Sequence, residues 1–136
     1  MWPFRRGRSA QTASGRAGAR GEKAAERFLR RAGYAILARN YRCPAGEADL
    51  IALDPSGEGG EAIVFVEVKT RATDRHVGPE SAVDARKRRQ LTRVASYYLA
   101  RHDTADRPVR FDVVAVVAPA AGRCEVRHIP DAFSTS

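Results

Sequence analysis

The sequence predicts an α/β fold in which a mixed β-sheet is flanked by helices. Two arms rich in strand-forming residues, 46–53 and 62–71, surround a loop rich in Gly, Pro and Ser, which is typical of a β-hairpin. After a long amphipathic helix, residues 109–118 form a nearly continuous apolar run, as expected of a buried parallel strand that follows a helical crossover. The predicted order is helix, three strands, helix, strand, strand. This order alone also allows other α+β arrangements.

The first predicted helix covers residues 22–32, where apolar residues recur at spacings of three and four. Gly33 is a natural stop for this helix because glycine readily adopts the left-handed conformation that ends many helices. A short strand is predicted over residues 34–39, and a turn at residues 43–46 leads into the hairpin.

The second predicted helix begins near Ser81 and Asp84, two residues whose spacing is a helix-start signature. It extends to about residue 101, and a last short strand covers residues 124–129. Asp112 interrupts the apolar run of the preceding strand, and we expect it to pair with Arg110 or with a group on a neighbouring strand. The apolar stripe of the second helix consists of Leu91, Val94, Ala95, Tyr98 and Leu99.

The charge distribution predicts a basic tail attached to one domain. The net charge of the 136-residue chain is +8, and residues 1–31 contain nine Lys and Arg against two Glu. We therefore predict a disordered basic tail over residues 1–20, a single domain over residues 21–131 and a frayed end over residues 132–136. Such asymmetry indicates a polyanionic partner, although the tail alone is equally typical of a solubilising extension.

The composition argues against membrane and disulfide-rich classes of protein. The longest apolar run, residues 113–119, is far too short to span a bilayer. The two arginines at positions 5 and 6 are not followed by the apolar stretch that an export signal requires. Cys43 and Cys124 fit neither a disulfide framework nor a zinc cluster. We expect a cytoplasmic protein with reduced cysteines and no membrane partner.

The hairpin carries charged residues where a half-buried sheet disfavours them. Because its arms are antiparallel, Asp49 from the first arm and Glu67 and Lys69 from the second are predicted to meet at one end of the sheet. Strict alternation also places Glu47, Asp49 and Ile51 on one face. Two partly desolvated carboxylates need a cationic partner, and a hard, oxygen-seeking Mg²⁺ ion supplies one. The alternative is an ordinary solvated Glu-x-Lys pair on a polar strand face.

These residues resemble the PD-(D/E)xK signature of restriction-endonuclease-like nucleases and archaeal Holliday-junction resolvases. The chain is most similar to the bacterial YraN-type family of that superfamily. Ala48 departs from the larger aliphatic residue usual in the family, and the segment before Gly21 has no counterpart. The similar stretches are residues 21–34, 39–42, 46–52, 64–71, 78–79, 83, 87, 97–99 and 110–114.

The resemblance implies a restriction-endonuclease-like core and a metal-dependent nuclease. Asp49 and Glu67, together with the backbone carbonyl of Val68, are expected to hold Mg²⁺ or Mn²⁺. Lys69 is expected to align the attacking water. Glu22 occupies the position from which related nucleases supply a glutamate of the first helix to the metal site. Ordinary helix-end electrostatics is the alternative explanation for Glu22.

A second set of residues is predicted to contact nucleic acid. Five basic residues occur within positions 86–93 of the second helix, which must pack beside the sheet that carries the site. A positive wall next to a metal site suits a phosphodiester substrate. A solvated helix face or a polar loop explains the same residues without a ligand. The predicted contacts are Arg71, Arg86, Lys87, Arg89, Gln90, Arg39 and Arg42.

The expected activity is endonucleolytic hydrolysis of DNA, branched or single-stranded, and the sequence does not separate DNA from RNA. The rival hypothesis is a nucleic-acid-binding module or a repair-complex scaffold that keeps the site residues without turnover. The resemblance to resolvases, which work as two-fold dimers, also raises the expectation of a homodimer.

Overall fold

The computed structural model describes residues 13–57, 59–73 and 83–134 of the chain. Ser81, the segment 78–79 and the first twelve residues of the predicted tail lie outside the described residues, as do residues 135 and 136. Neither helix in the described ranges is long and apolar enough to cross a membrane. The elements are α1 (Ala13–Arg31), β1 (Ala35–Cys43), β2 (Gly46–Asp54), β3 (Ala62–Arg71), α2 (Ala85–Arg101), β4 (Val109–Val117) and β5 (Glu125–Ile129).

The five strands form one mixed sheet in the order β1-β2-β3-β4-β5. β2 pairs antiparallel with both β1 and β3, β3 and β4 are parallel, and β5 returns antiparallel to β4. Helix α2 makes the crossover between β3 and β4, which the apolar character of β4 predicts. The predicted order of elements and the mixed α/β architecture are therefore confirmed.

Each helix covers one face of the sheet. Leu29 of α1 is fully buried among Val64, Val66 and other residues of one face, and Leu91 of α2 is fully buried with Phe65 on the other. The predicted apolar stripe of α2 is confirmed, because four of its members are buried and Leu99 packs partly buried against the same cluster. The sheet is therefore a central layer that is covered on both faces.

Helix α1 begins at Ala13, nine residues before its predicted start. Residues 13–20 are therefore helical, and their assignment to a disordered tail was wrong. At the end of this extension, the Arg20 guanidinium donates hydrogen bonds to the carbonyl oxygens of Pro119 and Gly122, at 2.6 and 3.1 Å, and so anchors the helix to the connection between β4 and β5. Gly33 ends the helix with a φ of +96°, as predicted.

Strand β1 continues to Cys43, four residues beyond its predicted end, and a two-residue turn at 44–45 joins it to β2. Asn40 has a φ of +48°, a left-handed conformation that asparagine tolerates better than most residues. The strand pairs with β2 on both sides of Asn40, so the irregularity is absorbed locally.

Helix α2 begins at Ala85, and its N-cap is Asp84. The Asp84 Oδ1 atom accepts a hydrogen bond of 2.9 Å from the backbone N–H of Lys87. This contact satisfies one of the donors that a helix start leaves without an intrahelical partner. Asp84 thus starts the helix as its N-cap, three residues after Ser81, the first residue of the predicted signature, which lies outside the described residues.

Asp112 is completely buried in β4 and pairs with Arg110, as expected. The Arg110 guanidinium donates two hydrogen bonds of 2.9 Å to the Asp112 carboxylate and one of 2.8 Å to Asp54 Oδ2. A further hydrogen bond of 2.8 Å joins Arg110 to the Tyr34 hydroxyl, and His128 Nε2 lies 2.7 Å from Asp112 Oδ2. Every charge in this network has a partner, so we assign it to the stability of the fold.

Candidate functional site

The candidate site lies where the pairing of β2 and β3 ends. The two strands pair from Asp54 and Ala62 as far as Leu50 and Val66. Beyond that point a side chain joins the two strands: the Asp49 Oδ2 atom accepts a hydrogen bond of 2.7 Å from the backbone N–H of Val68. The separating strands therefore leave Asp49 beside the segment of β3 that carries Glu67.

Side-chain alternation in β2 is interrupted at this point. Ala48 and Ile51 are three residues apart, yet both are buried in the cluster under α2, while Leu50 is buried under α1. Glu47 and Ile51 therefore do not share one face, and the prediction of strict alternation was wrong. The interruption lies where β2–β3 pairing ends at Leu50, opposite the left-handed Asn40 of β1, which stays paired with β2 on both sides of that residue.

Glu67 is buried on the α2 side between two lysines. Its side chain is only 7% exposed, and it shares the face of β3 that carries Phe65, as predicted. Lys69 Nζ lies 3.9 Å from Glu67 Oε2, and Lys87 Nζ lies 3.6 Å from Oε1. Both distances are longer than a hydrogen bond, and the buried Oε1 atom has no hydrogen-bond partner among the described residues.

The environment of the site disfavours the charged form of its carboxyl groups. Burial raises the pKa of Glu67 to about 7, with a further contribution from the negative charge of Asp49, while the two lysines oppose the shift. Burial also raises the pKa of Asp49, against the hydrogen bond from Val68 and the charge of Lys87. The pKa of Glu22 is raised by burial and by the charge of Asp49. Asp49 thus interacts with charged groups from both helices.

These features fit a hard divalent cation. Two carboxylates that disfavour each other's charge, one with a buried oxygen lacking a hydrogen bond, supply oxygen ligands that a cation would satisfy. Mg²⁺ commonly uses one or two carboxylates and completes its shell with water and substrate phosphate. Within the described part of the chain, no three His, Cys, Asp or Glu side chains cluster closely enough to hold a metal ion. Glu22 is therefore not gathered with Asp49 and Glu67 into a three-residue set.

The predicted nucleic-acid contacts fall into two groups. Lys87 and Gln90 lie at the site, where the Lys87 ammonium donates a hydrogen bond of 3.2 Å to Gln90 Oε1. Arg71 at the end of β3 is exposed, as are Arg86 and Arg89 on α2.

The two arginines of β1 are held by acidic partners. Arg42 Nε lies 3.1 Å from Glu47 Oε1, and Arg39 Nη2 lies 2.6 Å from Glu26 Oε2 on α1. The structure thus does not bring Arg39 to the candidate site.

Sequence reasoning missed two glycines that bring both helices against the site. A Cβ atom on Gly21 would lie 2.0 Å from Thr70 Oγ1 of β3, so only glycine allows α1 to approach so closely. A Cβ atom on Gly46 would lie 2.7 Å from the Gln90 side chain, and Gly46 has a φ of +140°. The proximity of Lys87 to Glu67 was also missed. The glycines are visible in the sequence, but their neighbours are distant along the chain.

Substituting Glu67 by glutamine should stabilise the metal-free protein at high pH. The folded-state pKa of about 7 lies above the ordinary value of 4.5, so folding favours the protonated acid and wild-type stability falls as the pH rises from about 5 to 8. At pH 8 we expect Glu67→Gln to raise the free energy of unfolding by ~2 kcal/mol, measured by urea denaturation in EDTA.

At pH 5 this gain should largely disappear, because wild-type Glu67 is then protonated in the folded state. The control is Glu125→Gln, which removes an exposed carboxylate from β5 and should show no pH-dependent gain. A Glu67→Gln variant that is less stable than wild type at pH 8 would contradict the claim that the charged Glu67 carboxylate destabilises the fold.

Comparisons with known proteins identify the family. A model of the uncharacterised protein family UPF0102 matches residues 21–116. A UPF0102 protein of Symbiobacterium thermophilum is 50% identical over 120 residues, which cover 88% of this chain and 98% of that protein. A UPF0102 protein of Beutenbergia cavernae is 46% identical over 112 residues, covering 82% of this chain and 91% of its own. Membership of the nuclease superfamily stays a prediction, but the resemblance to the YraN-type family is confirmed: the chain belongs to the UPF0102 family.

Proposed function

We propose that this protein is a metal-dependent nuclease that hydrolyses phosphodiester bonds in nucleic acid, with DNA as the expected substrate. The observation that carries the proposal is the Glu67 carboxylate: it is buried, leaves one oxygen without a hydrogen bond, interacts with Asp49 and lies 3.9 Å from Lys69. Two acids and an amine at the end of adjacent strands match the PD-(D/E)xK pattern. A strand order of β1-β2-β3-β4-β5 with a helical crossover after β3 supports a restriction-endonuclease-like core.

Asp49, Glu67 and the backbone carbonyl of Val68 would hold Mg²⁺ or Mn²⁺. A bound ion of this kind activates water and offsets negative charge on the phosphoryl oxygens. Glu22 contributes negative potential from α1, since its charge and that of Asp49 interact, and it would reach the ion through water. The partial burial of all three acids keeps competing solvent from screening their charge.

Lys69 has the role of orienting the attacking water. It lies on the same face of β3 as Glu67, and its side chain is about one-third exposed, so it can face a substrate while remaining beside the carboxylate. Lys87 holds the second side of Glu67, and Gln90 positions Lys87 through its hydrogen bond. The exposed arginines at positions 71, 86 and 89 would bind phosphates flanking the scissile bond.

A cleavage assay tests the proposal. Purified protein with Mg²⁺ or Mn²⁺ should cut labelled DNA, and EDTA should stop the reaction. The preferred substrate is identified by comparing single-stranded, duplex, flap and four-way-junction DNA. Matched RNA oligomers, added in competition at fixed salt, show whether DNA or RNA is preferred. Activity that persists in an Asp49→Asn variant would place the cleavage at another site or in a contaminant.

A binding module without turnover is the second candidate, and one observation favours it. Lys69 and Lys87 both lie within 4.0 Å of the Glu67 carboxylate and provide cationic partners without any metal. Such a module should bind DNA equally well in EDTA and in Mg²⁺ and should cut none of the substrates.

A further inference from the structure

A concave groove of about 600 Å³ runs between α1 and the β4–β5 region, on the face of the sheet opposite α2. Arg20 spans one end of the groove by bonding the carbonyl oxygens of Pro119 and Gly122. Lys23, Arg27 and Arg31 lie along its helical wall, and Arg123 lies on the opposite wall. The wall from Arg20 to Arg31 is about 16 Å long at the rise of an α-helix.

The positive charge of this groove is not neutralised by the protein. In the ranges that the structure describes, no acidic side chain makes an ion pair with Lys23, Arg27, Arg31 or Arg123. Of the two acidic residues in this part of α1, Glu26 is engaged by Arg30 and Arg39, and Glu22 interacts with Asp49 at the candidate site. Within its described residues, α1 therefore has one face whose charges are paired and another whose cations lack a counterion. Mutual repulsion between these cations destabilises the protein unless an anion binds.

The groove also contains an exposed aromatic ring. Phe28 is 37% exposed, one of three large apolar residues that are exposed in the described ranges, and it lines the groove between Lys23 and Arg31. Its ring meets the His128 ring edge-on, at 6.1 Å between centroids, which leaves part of the Phe28 ring to the groove. A cationic channel with an aromatic surface is the combination that binds single-stranded nucleic acid, where phosphates follow the cations and a base stacks on the ring.

We propose that this groove binds a single-stranded nucleic-acid segment adjoining the bond to be cut. The proposal rests on the proposed function in taking nucleic acid as the ligand. The groove begins beside the candidate site, because Gly21 follows Arg20 and packs directly on Thr70 of β3, and Glu22 interacts with Asp49. A strand leaving the site can thus pass over the end of β3 into the groove. The arginines of α2 lie on the other face of the sheet and form a separate surface.

The shape argues against a membrane as the ligand. Binding in the plane of a bilayer requires a protruding helix face with several large apolar residues. Here the cations line a concavity, and Phe28 is the one large apolar side chain of α1 that is exposed within the described residues.

Binding of a fluorescent 15-nucleotide single strand, measured by anisotropy in EDTA, tests the groove without cleavage. Lys23→Gln/Arg27→Gln should weaken binding about tenfold or more at 0.1 M salt and lower the salt slope by about 1.4, since each phosphate contact on a single strand contributes about 0.7. Phe28→Leu should weaken binding about fivefold or more, and Phe28→Trp should restore it, because stacking needs an aromatic face.

The matched control is Arg101→Gln/Arg107→Gln, which removes the same charge far from the groove and should leave the affinity within about twofold. The overturning result is an equal loss of affinity in the groove and control variants, or a groove variant that loses binding to phosphatidylserine vesicles while keeping oligonucleotide binding. A protein that shows the predicted groove effects but cuts neither DNA nor RNA would refute the nuclease function and leave the groove assignment standing.

Alkylation of Cys124 measures whether the groove is occupied without any change to the basic residues of the groove. It lines the groove, so in a Cys43→Ser variant its alkylation by iodoacetamide should slow several-fold when saturating oligonucleotide is bound. An unchanged alkylation rate with the oligonucleotide bound would overturn the proposal.

Discussion

Replacing Lys69 by methionine is expected to lower the rate of metal-dependent DNA cleavage by about 100-fold or more, the usual loss when a group that positions or transfers a proton is removed. Methionine keeps most of the length of the side chain and removes the ammonium group that lies 3.9 Å from Glu67 Oε2. Asp49→Asn should have an effect at least as large, because it removes a charge from the pair of carboxylates. Single-turnover cleavage of a labelled oligonucleotide in Mn²⁺ measures both rates.

The comparison needs a variant that removes a cation outside the site and the groove. Arg101→Met is suitable because its guanidinium stacks on the Tyr97 ring, 3.5 Å from the centroid, at the far end of α2. It should cut at the wild-type rate. A Lys69→Met protein that retains more than half of the wild-type rate would exclude Lys69 from the chemistry.

The second large effect concerns stability. Arg110→Met should lower the free energy of unfolding by about 3–5 kcal/mol, because it leaves the fully buried Asp112 carboxylate with His128 and one backbone N–H as its remaining partners. Although burial raises the pKa of Asp112, hydrogen bonds from His128 and Arg110 bring that pKa below its ordinary value, so the charge is present at neutral pH. Urea denaturation at pH 7 measures the loss.

A double variant distinguishes the effect of the buried charge on stability from the effect of lost packing. Arg110→Met combined with Asp112→Asn should be more stable than Arg110→Met alone, since the carboxylate left without its guanidinium partner is gone. Arg107→Met, which breaks an exposed ion pair of 3.1 Å with Glu61, should cost less than about 1 kcal/mol. A loss below 1 kcal/mol for Arg110→Met would mean that the network does not stabilise the fold.

The element order could be predicted because local patterns specify it. The strand-forming arms around the Gly-rich loop, the apolar stripe of α2 and the nearly continuous apolar character of β4 each indicate one structure. The charged ends of the hairpin arms also predict that Asp49, Glu67 and Lys69 lie near one another, and in the structure Glu67 lies 3.9 Å from Lys69 and interacts with Asp49. Glu67 shares the face of Phe65 because β3 keeps the regular two-residue period.

Other features depend on contacts between residues far apart in sequence. The anchoring of α1 by Arg20 depends on carbonyl groups about a hundred residues later in the chain, so no local periodicity marks it. The interruption at Asp49 depends on where β2 and β3 stop pairing, which the alternation of residues does not specify. Lys87 meets Glu67 only because α2 packs over β2 and β3. Local pattern therefore predicts elements well and predicts the partners of their charged residues poorly.

Calorimetric titration of Mn²⁺ into the metal-free protein at pH 7.5 tests most directly whether Asp49 and Glu67 bind a common divalent ion. We predict one Mn²⁺ per chain, displaced by excess Mg²⁺, with affinity at least tenfold lower in Asp49→Asn and in Glu67→Gln and unchanged in Glu125→Gln. Equal Mn²⁺ binding by all four proteins, or no binding by any of them, would contradict a metal site at these two carboxylates.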